Sequence, residues 1–167
     1  MKLEHLWAPW RLDYVRTRTQ QADAESCIFC DKPSAGDDAE QLIVFRGEEA
    51  FVLMNLYPYN NGHILVAPYR HEPLFDQLGP AVQMEMLQLL NRAMTIMRSE
   101  MQAGGFNFGA NIGAAAGAGI EEHVHLHLVP RWSGDTNFMP VVAGTKVLVQ
   151  TLRETRDLLA KEFAQQS

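Results

Sequence analysis

The chain has 167 residues, of which 47% are hydrophobic and 20% charged, which favours one globular domain with a sizeable core. Its net charge of -6 argues against a nucleic-acid partner, because neutralising phosphates requires clustered Lys and Arg. It has neither an apolar run typical of a membrane span nor a signal-peptide pattern, so we expect a cytoplasmic protein with no membrane partner.

The N-terminal segment is expected to form an irregular arm that packs Trp7 and Trp10 onto the body of the domain, since a proline interrupts it. Cys27 and Cys30 follow as a Cys-x-x-Cys, and residues 31–40 are typical of a loop because they are rich in Pro, Gly and Asp. Three runs rich in β-branched and aromatic residues then predict strands at 41–47, 50–56 and 63–71.

Residues 80–102 predict a helix, because apolar side chains recur at three- and four-residue spacing and Pro80 suits its first turn. Residues 106–113 and 123–132 are typical of strands, and residues 145–165 of a second helix. This order indicates an α+β fold, with a mainly antiparallel five-stranded sheet and two helices on one face. We expect a single domain over 1–167, made of the arm (1–26), a core (27–140) and a C-terminal helical segment (141–167).

The stretch HVHLHLVPRW places His123, His125 and His127 on alternate residues of the fifth predicted strand. Alternate side chains share one face of a strand, so these imidazoles would lie about 7 Å apart while the apolar residues between them face a core. A coincidental surface row, a metal site and a catalytic site are all open at this point. One ion cannot reach all three side chains along a strand, whereas imidazole serves as nucleophile, acid or base near neutral pH.

A glycine-rich segment, NIGAAAGAG, precedes the histidines. Its backbone N–H groups lie at small residues, where phosphate oxygens can approach closely. Glycine also serves plain turns, so this segment is informative only because the histidines follow it. Together the two features favour chemistry at a phosphorus atom.

Cys27 and Cys30 have the two-residue spacing of a zinc site, but they supply only half of its ligands. A redox pair and two buried thiols are the alternatives.

HVHLHLVPRW resembles the signature of the histidine triad (HIT) family of nucleotide hydrolases and transferases. The resemblance extends to NLYPYNNGHILVAPYRH and CIFC, and it covers roughly residues 27 to 140. The segments LWAPWR and RWSGDTNFMPV are similar to the branch that contains bacterial diadenosine tetraphosphate phosphorylases and fragile-histidine-triad-type hydrolases. The family has a HIT-like α+β fold, which agrees with the element order.

This resemblance implies an enzyme that cleaves dinucleoside polyphosphates such as diadenosine tetraphosphate. His125 would form a nucleotidyl-histidine intermediate, which water (in a hydrolase) or phosphate (in a phosphorylase) would release. His63 and His127 would act at the phosphates and the leaving group, with His127 as a cation. The implied substrate-binding residues are Asn55 near the ribose, and Asn111, Gly117, Ala118 and Gly119 at the phosphates.

The family also implies that His71 and His123 complete the cysteine pair into a Cys2His2 site for structural zinc. A divalent cation on the substrate phosphates and a homodimer are further implications. Arg131 is either a ligand of a distal phosphate or simply exposed, and Trp132 either covers a core or stacks on a base. The alternative to an enzyme is a non-enzymatic, zinc-stabilised nucleotide-binding module, in which the histidines only recognise phosphates.

Overall fold

A computed structural model describes residues 27–135 and 150–165, so the predicted arm and residues 145–149 of the second predicted helix lie outside the described residues. No described helix is both long enough and apolar enough to cross a membrane. The described elements are α1 (Ile28–Ser34), β1 (Ile43–Arg46), β2 (Ala50–Met54), β3 (Ile64–Pro68), α2 (Pro80–Glu100), β4 (Gly105–Gly109), β5 (Leu126–Arg131) and α3 (Leu152–Gln165), with short 3-10 helices at Phe75–Gln77 and Ala114–Ala116.

The five strands form one sheet in the order β1-β2-β3-β5-β4, and every neighbouring pair is antiparallel. The α+β fold and its five-stranded antiparallel sheet are therefore confirmed. β5 lies between β3 and β4, so His127 pairs with Leu65 on one side and with Gly109 on the other. This register brings the end of the histidine segment beside the start of β3, where His63 lies.

One face of the sheet carries the larger core, which α2 and α3 cover. Val124, Leu126 and Leu128 belong to this core, as the alternation of the sequence predicts. α2 begins at Pro80, as expected, and ends at Glu100. Thr151 and Glu154 form a capping box before α3, because each side chain accepts a hydrogen bond from the other residue's backbone N–H.

The other face carries a smaller apolar cluster and α1. Leu65 pairs with His127, so this cluster shares its face with that histidine. Segment 31–40 was expected to be a loop, but its first residues belong to α1, which contains Pro33. A seven-residue helix is too short to be stable from local propensity, and the burial of Phe29 supplies the missing stabilisation. The cluster consists of Phe29, Ile43, Phe51, Leu53, Leu65 and Ala67.

β5 begins at Leu126, three residues later than expected, so His123 and His125 precede the regular strand. If the pairing between β5 and β3 continued, Val124 would lie opposite Pro68. Instead, the Val124 N–H donates to the Glu72 carbonyl at 2.7 Å. Regular pairing with β3 therefore stops before it reaches His123 and His125. These two histidines turn toward different neighbours.

Candidate active site and cysteine–histidine cluster

The histidine site consists of His63, His125 and His127. His63 Nε2 lies 3.0 Å from His127 Nδ1, although the two residues are 64 positions apart in sequence. The rings of His125 and His127 are 5.0 Å apart between centroids, closer than the 7 Å expected for a regular strand. His63 and His125 are buried, and His127 is half-buried.

The hydrogen bonds of His63 decide which nitrogen carries its hydrogen. The backbone N–H of Tyr59 points at His63 Nδ1 at 3.0 Å, and an amide can only donate, so Nδ1 accepts. His63 therefore carries its hydrogen on Nε2 and donates it to His127 Nδ1. His127 in turn carries its own hydrogen on Nε2. This arrangement supports a neutral His127 that can donate a hydrogen bond from Nε2, rather than the cation expected from the family resemblance.

His125 is oriented by a backbone carbonyl. Its Nδ1 lies 2.9 Å from the carbonyl oxygen of His123, which can only accept, so Nδ1 carries the hydrogen and the lone pair lies on Nε2. The Phe29 ring packs at 4.7 Å between centroids against His125. The ring is held in one orientation with a nucleophilic Nε2, as a covalent mechanism requires.

The segment that precedes His63, residues 55–62, is held around that histidine by its own polar groups. Asn55 lies against the His63 ring, with its Nδ2 3.3 Å from Nδ1, and its side-chain oxygen accepts the N–H of Tyr57 at 3.0 Å. The Asn55 N–H also donates to the His63 carbonyl at 2.9 Å. Asn55, expected near the ribose, therefore contacts the histidine site in this structure.

The glycine-rich segment leads from β4 back to the histidines. It starts beside His127, because Gly109 at the end of β4 pairs with that residue. Gly113 and Gly117 both have positive φ, 78° and 77°, a conformation that glycine adopts without strain. The Ala118 N–H, expected to contact phosphate, lies 3.4 Å from the Gly113 carbonyl oxygen. This hydrogen bond is long, so a phosphate oxygen could replace that carbonyl as the acceptor. Asn111 is half-buried, and Gly119 lies six residues before His125.

His123 belongs to a different group, the cysteine–histidine cluster. The potential ligand atoms of its four residues all lie within 4.8 Å of one another. Cys27 and Cys30 come from the start of α1, His71 follows β3, and His123 precedes β5. The row of three histidines is therefore divided, with His123 facing the cysteines while His125 and His127 face His63.

The geometry of this cluster matches a tetrahedral zinc ion. Bond lengths of about 2.3 Å to sulfur and 2.0–2.1 Å to nitrogen require S···N separations of about 3.6 Å. The observed separations are 3.3 Å between Cys27 Sγ and His123 Nδ1, 3.4 Å between Cys30 Sγ and His71 Nδ1, and 3.7 Å between Cys30 Sγ and His123 Nδ1.

The protonation of His123 and Cys30 also suits a metal ion. His123 Nε2 donates to the Pro68 carbonyl at 2.9 Å, so the lone pair lies on Nδ1, which faces the sulfurs. Burial lowers the pKa of His123, which favours the neutral imidazole that binds metals. Burial and the neighbouring Cys27 raise the pKa of the Cys30 thiol to about 11, and a divalent cation would reverse that effect by stabilising the thiolate.

The structure assigns Trp132 and Arg131 to structural contacts. Trp132 is half-buried against the larger core and donates its indole N–H to the Met101 carbonyl at 2.9 Å. Arg131, considered as a phosphate ligand, donates from Nε to Asp135 Oδ2 at 2.6 Å and from Nη1 to the Asn107 side-chain oxygen at 3.0 Å. Sequence analysis missed Asp135, because no local pattern indicates a carboxylate that bonds residues from distant segments.

Comparisons with known proteins agree with this geometry. The family model described as HIT domain matches residues 37–134. An AP-4-A phosphorylase of Mycobacterium tuberculosis is 38% identical over 99% of this chain and 87% of its own length. A bis(5'-adenosyl)-triphosphatase of Dictyostelium discoideum is 33% identical over 53% of this chain and 59% of its own.

A solved structure supports the same assignment. The crystal structure of a Zn-bound histidine triad family protein from Mycobacterium smegmatis has a TM-score of 0.68 and 27% identity, and the match covers 84% of this chain and 95% of the other. The resemblance seen in the sequence is thus confirmed, and the chain belongs to the histidine triad (HIT) family.

Proposed function

We propose that this histidine triad enzyme, a nucleotide hydrolase or nucleotidyltransferase, acts on dinucleoside polyphosphates through a nucleotidyl-histidine intermediate. The substrate class is supported by two relatives, an AP-4-A phosphorylase and a bis(5'-adenosyl)-triphosphatase. The observation that carries the mechanism is the contact of His125 Nδ1 with the His123 carbonyl, which leaves the lone pair on Nε2. Diadenosine tetraphosphate is the substrate to test first.

In the first step, His125 Nε2 attacks the phosphorus next to one nucleoside and forms a P–N bond. The P–O bond to the rest of the substrate breaks, and its electron pair passes to the leaving oxygen. His127 donates a hydrogen bond from Nε2–H to that oxygen, which leaves as a phosphate anion, and the hydrogen bond from His63 Nε2 to His127 Nδ1 holds the His127 ring in this orientation. The Nδ1–H of His125 stays bonded to the His123 carbonyl and stabilises the positively charged adduct.

In the second step, inorganic phosphate or water attacks the adduct from the opposite side. The P–N bond breaks and the electron pair returns to His125 Nε2; hydrogen phosphate carries its proton into the ADP product, whereas an attacking water releases one proton to the solvent. The 38% identity to a phosphorylase over nearly the whole chain supports phosphate as the acceptor. We therefore propose ADP and ATP as products from diadenosine tetraphosphate.

The decisive assay incubates the protein with diadenosine tetraphosphate, with and without inorganic phosphate, and identifies the products. Formation of ADP and ATP only when phosphate is present supports phosphorolysis, whereas AMP and ATP without phosphate identify a hydrolase. His125→Ala should retain less than about a thousandth of the rate. An unchanged rate in this variant would refute the covalent route. Tight nucleotide binding by the wild-type protein without turnover would favour the alternative of a non-enzymatic binding module.

We further propose that the cysteine–histidine cluster binds structural zinc. The ligand separations and the Zn-bound relative support this assignment. The ion would join the start of α1 to the segments after β3 and before β5, and so would hold Phe29 against His125. A homodimer, a cytoplasmic location and a divalent cation on the substrate phosphates remain predictions.

A further inference from the structure

The Asp135 carboxylate is the centre of a polar network beside the histidine site. Its side chain is 9% exposed, and both oxygens accept hydrogen bonds from Arg131, at 2.6 and 2.8 Å. Oδ2 also accepts the Asn60 side-chain N–H at 2.9 Å and the Trp132 backbone N–H at 3.1 Å. Charge-assisted bonds of this length are among the stronger polar contacts in a protein.

Asn60 connects this carboxylate to the segment that carries His63. Its buried side chain donates both to Asp135 and to the Pro130 carbonyl, at 3.1 Å. Its own carbonyl accepts the backbone N–H of His63 at 3.2 Å. A chain of hydrogen bonds therefore runs from Asp135 through Asn60 to His63, and β5, to which Asp135 is bonded, also carries His127.

The His63 segment has little apolar burial of its own to keep it in place. Leu56 and Tyr57 are 56% and 54% exposed, and the segment 55–62 contains neither a helix nor a strand. Its position therefore depends on polar anchors, on the packing of Gly62, and on the Tyr59 ring, which lies 4.6 Å from the His63 ring between centroids. Asn61 provides a second anchor by donating to the Gln150 side chain at 3.2 Å, but that contact leads to the segment before α3 rather than to β5.

We propose that Asp135 is a positioning residue, which sets the hydrogen bond between His63 and His127 by fixing Asn60 to the end of β5. This inference rests on the proposed function, because the His63–His127 pair is assigned there to stabilising the leaving oxygen. In this role Asp135 acts through Asn60 and His63 and not by contact with the substrate. A displacement of about 1 Å in such a pair can lower a rate by 10²-fold, because the donor must be closely aligned with the oxygen on which charge develops.

The test is a double-mutant cycle on diadenosine tetraphosphate cleavage, with Asp135→Asn, His63→Gln and the combined variant. Asp135→Asn should lower kcat about 10- to 100-fold with little change in KM. In the His63→Gln background the same substitution should have almost no further effect, because the group it positions is already gone. An equal loss in both backgrounds would overturn the proposal.

Asp38→Asn is the matched control. Asp38 accepts a 2.8 Å ion-pair bond from Arg46, and both residues lie away from the histidines, in β1 and the turn before it. This variant should leave kcat unchanged. Asn60→Ser provides a second route, because it removes the side-chain amide that bonds Asp135 and the Pro130 carbonyl, while the ion pair between Arg131 and Asp135 is retained. It should reproduce the loss of kcat, even if Asp135→Asn itself proves too unstable to assay, and full activity would contradict the proposal.

Imidazole nitrogen NMR of the ligand-free protein separates this inference from the proposed function. The wild type should show hydrogens on Nε2 of both His63 and His127, and Asn60→Ser and Asp135→Asn should broaden or shift these signals. A changed pattern in a protein that cleaves no dinucleoside polyphosphate would refute the function and support the positioning role. An unchanged pattern in both variants of an active enzyme would refute the positioning role alone.

Discussion

Replacement of Gly62 by alanine should damage both stability and activity, because this residue combines an unusual backbone conformation with close packing. Its φ is +75°, and a Cβ atom would lie 2.9 Å from Met101 Cε and 3.0 Å from Pro130 Cγ. Gly62 is buried and directly precedes His63. Any shift that relieves the contacts would therefore move His63, for which a catalytic role is proposed.

The magnitude follows from two contributions. A left-handed conformation costs a residue with a Cβ about 1–2 kcal/mol. Overpacking adds about 1 kcal/mol because the rigid Pro130 ring cannot move away from the new Cβ. This value is at the low end of the usual range because the flexible Met101 methyl can move. The sum of about 2–3 kcal/mol corresponds to a Tm lower by about 4–12 °C in a protein of this size.

Gly36→Ala separates the two contributions. Its φ is +85°, but nothing lies within 4 Å of the Cβ position, so only the backbone cost of about 1–2 kcal/mol applies. Urea denaturation and the rate of diadenosine tetraphosphate cleavage should show that Gly36→Ala keeps full activity, whereas Gly62→Ala loses both more stability and most of its rate. Equal stability losses in the two variants would refute the packing argument, and an unchanged rate in Gly62→Ala would refute its link to His63.

Three further predictions concern the cysteine–histidine cluster, the capping box before α3 and the turn between β1 and β2. Cys30→Ser should reduce bound zinc from about one per chain to near zero by elemental analysis, and lower Tm; wild-type metal content would exclude the cluster. Hydrogen bonds from Thr151 lower the pKa of Glu154, so its stabilising effect is present above the unfolded value of about 4.3 and is lost as pH falls through the folded pKa. Glu154→Gln should therefore flatten the acid limb of a Tm–pH curve, and an unchanged limb would contradict this reasoning. Glu85 accepts N–H groups of residues 48–50 in the β1–β2 turn, so Glu85→Ala should cost about 1–2 kcal/mol in urea denaturation, and no loss would show that water replaces it.

Much of the fold could be predicted because its signals are local. Strands with β-branched residues and a helix with a regular apolar stripe are recognisable within short windows, and Pro80 marks the start of α2. Helix α1 was missed because its stability depends on Phe29 entering a cluster built from three strands. The late start of β5 was missed because Val124 bonds to Glu72, a choice that no pattern within 123–132 encodes.

Part of the candidate site could also be predicted. The pattern of residues, with its family resemblance, indicated all four members of the cysteine–histidine cluster, which the structure brings together, and His125 as nucleophile, which stays a prediction. His127 was expected to be a cation, whereas its contacts favour the neutral ring, because its hydrogen position depends on the backbone N–H of Tyr59 acting through His63. Sequence analysis left open whether Arg131 binds a distal phosphate or is simply exposed, because it could not show that Asp135 and Asn107 accept hydrogen bonds from its guanidinium.

The sequence by itself determined which chemical groups are available: alternating imidazoles, a cysteine pair and a glycine-rich segment. Each of these features can be recognised within its own window of about a dozen residues. Only the tertiary structure decided which partner each group meets. His123 meets a cysteine 96 positions away, His63 meets His127 across 64, and Asn60 meets Asp135 across 75. A polar side chain is directed by the donor or acceptor that strand register brings beside it, and register is set by the burial of apolar faces over the whole sheet.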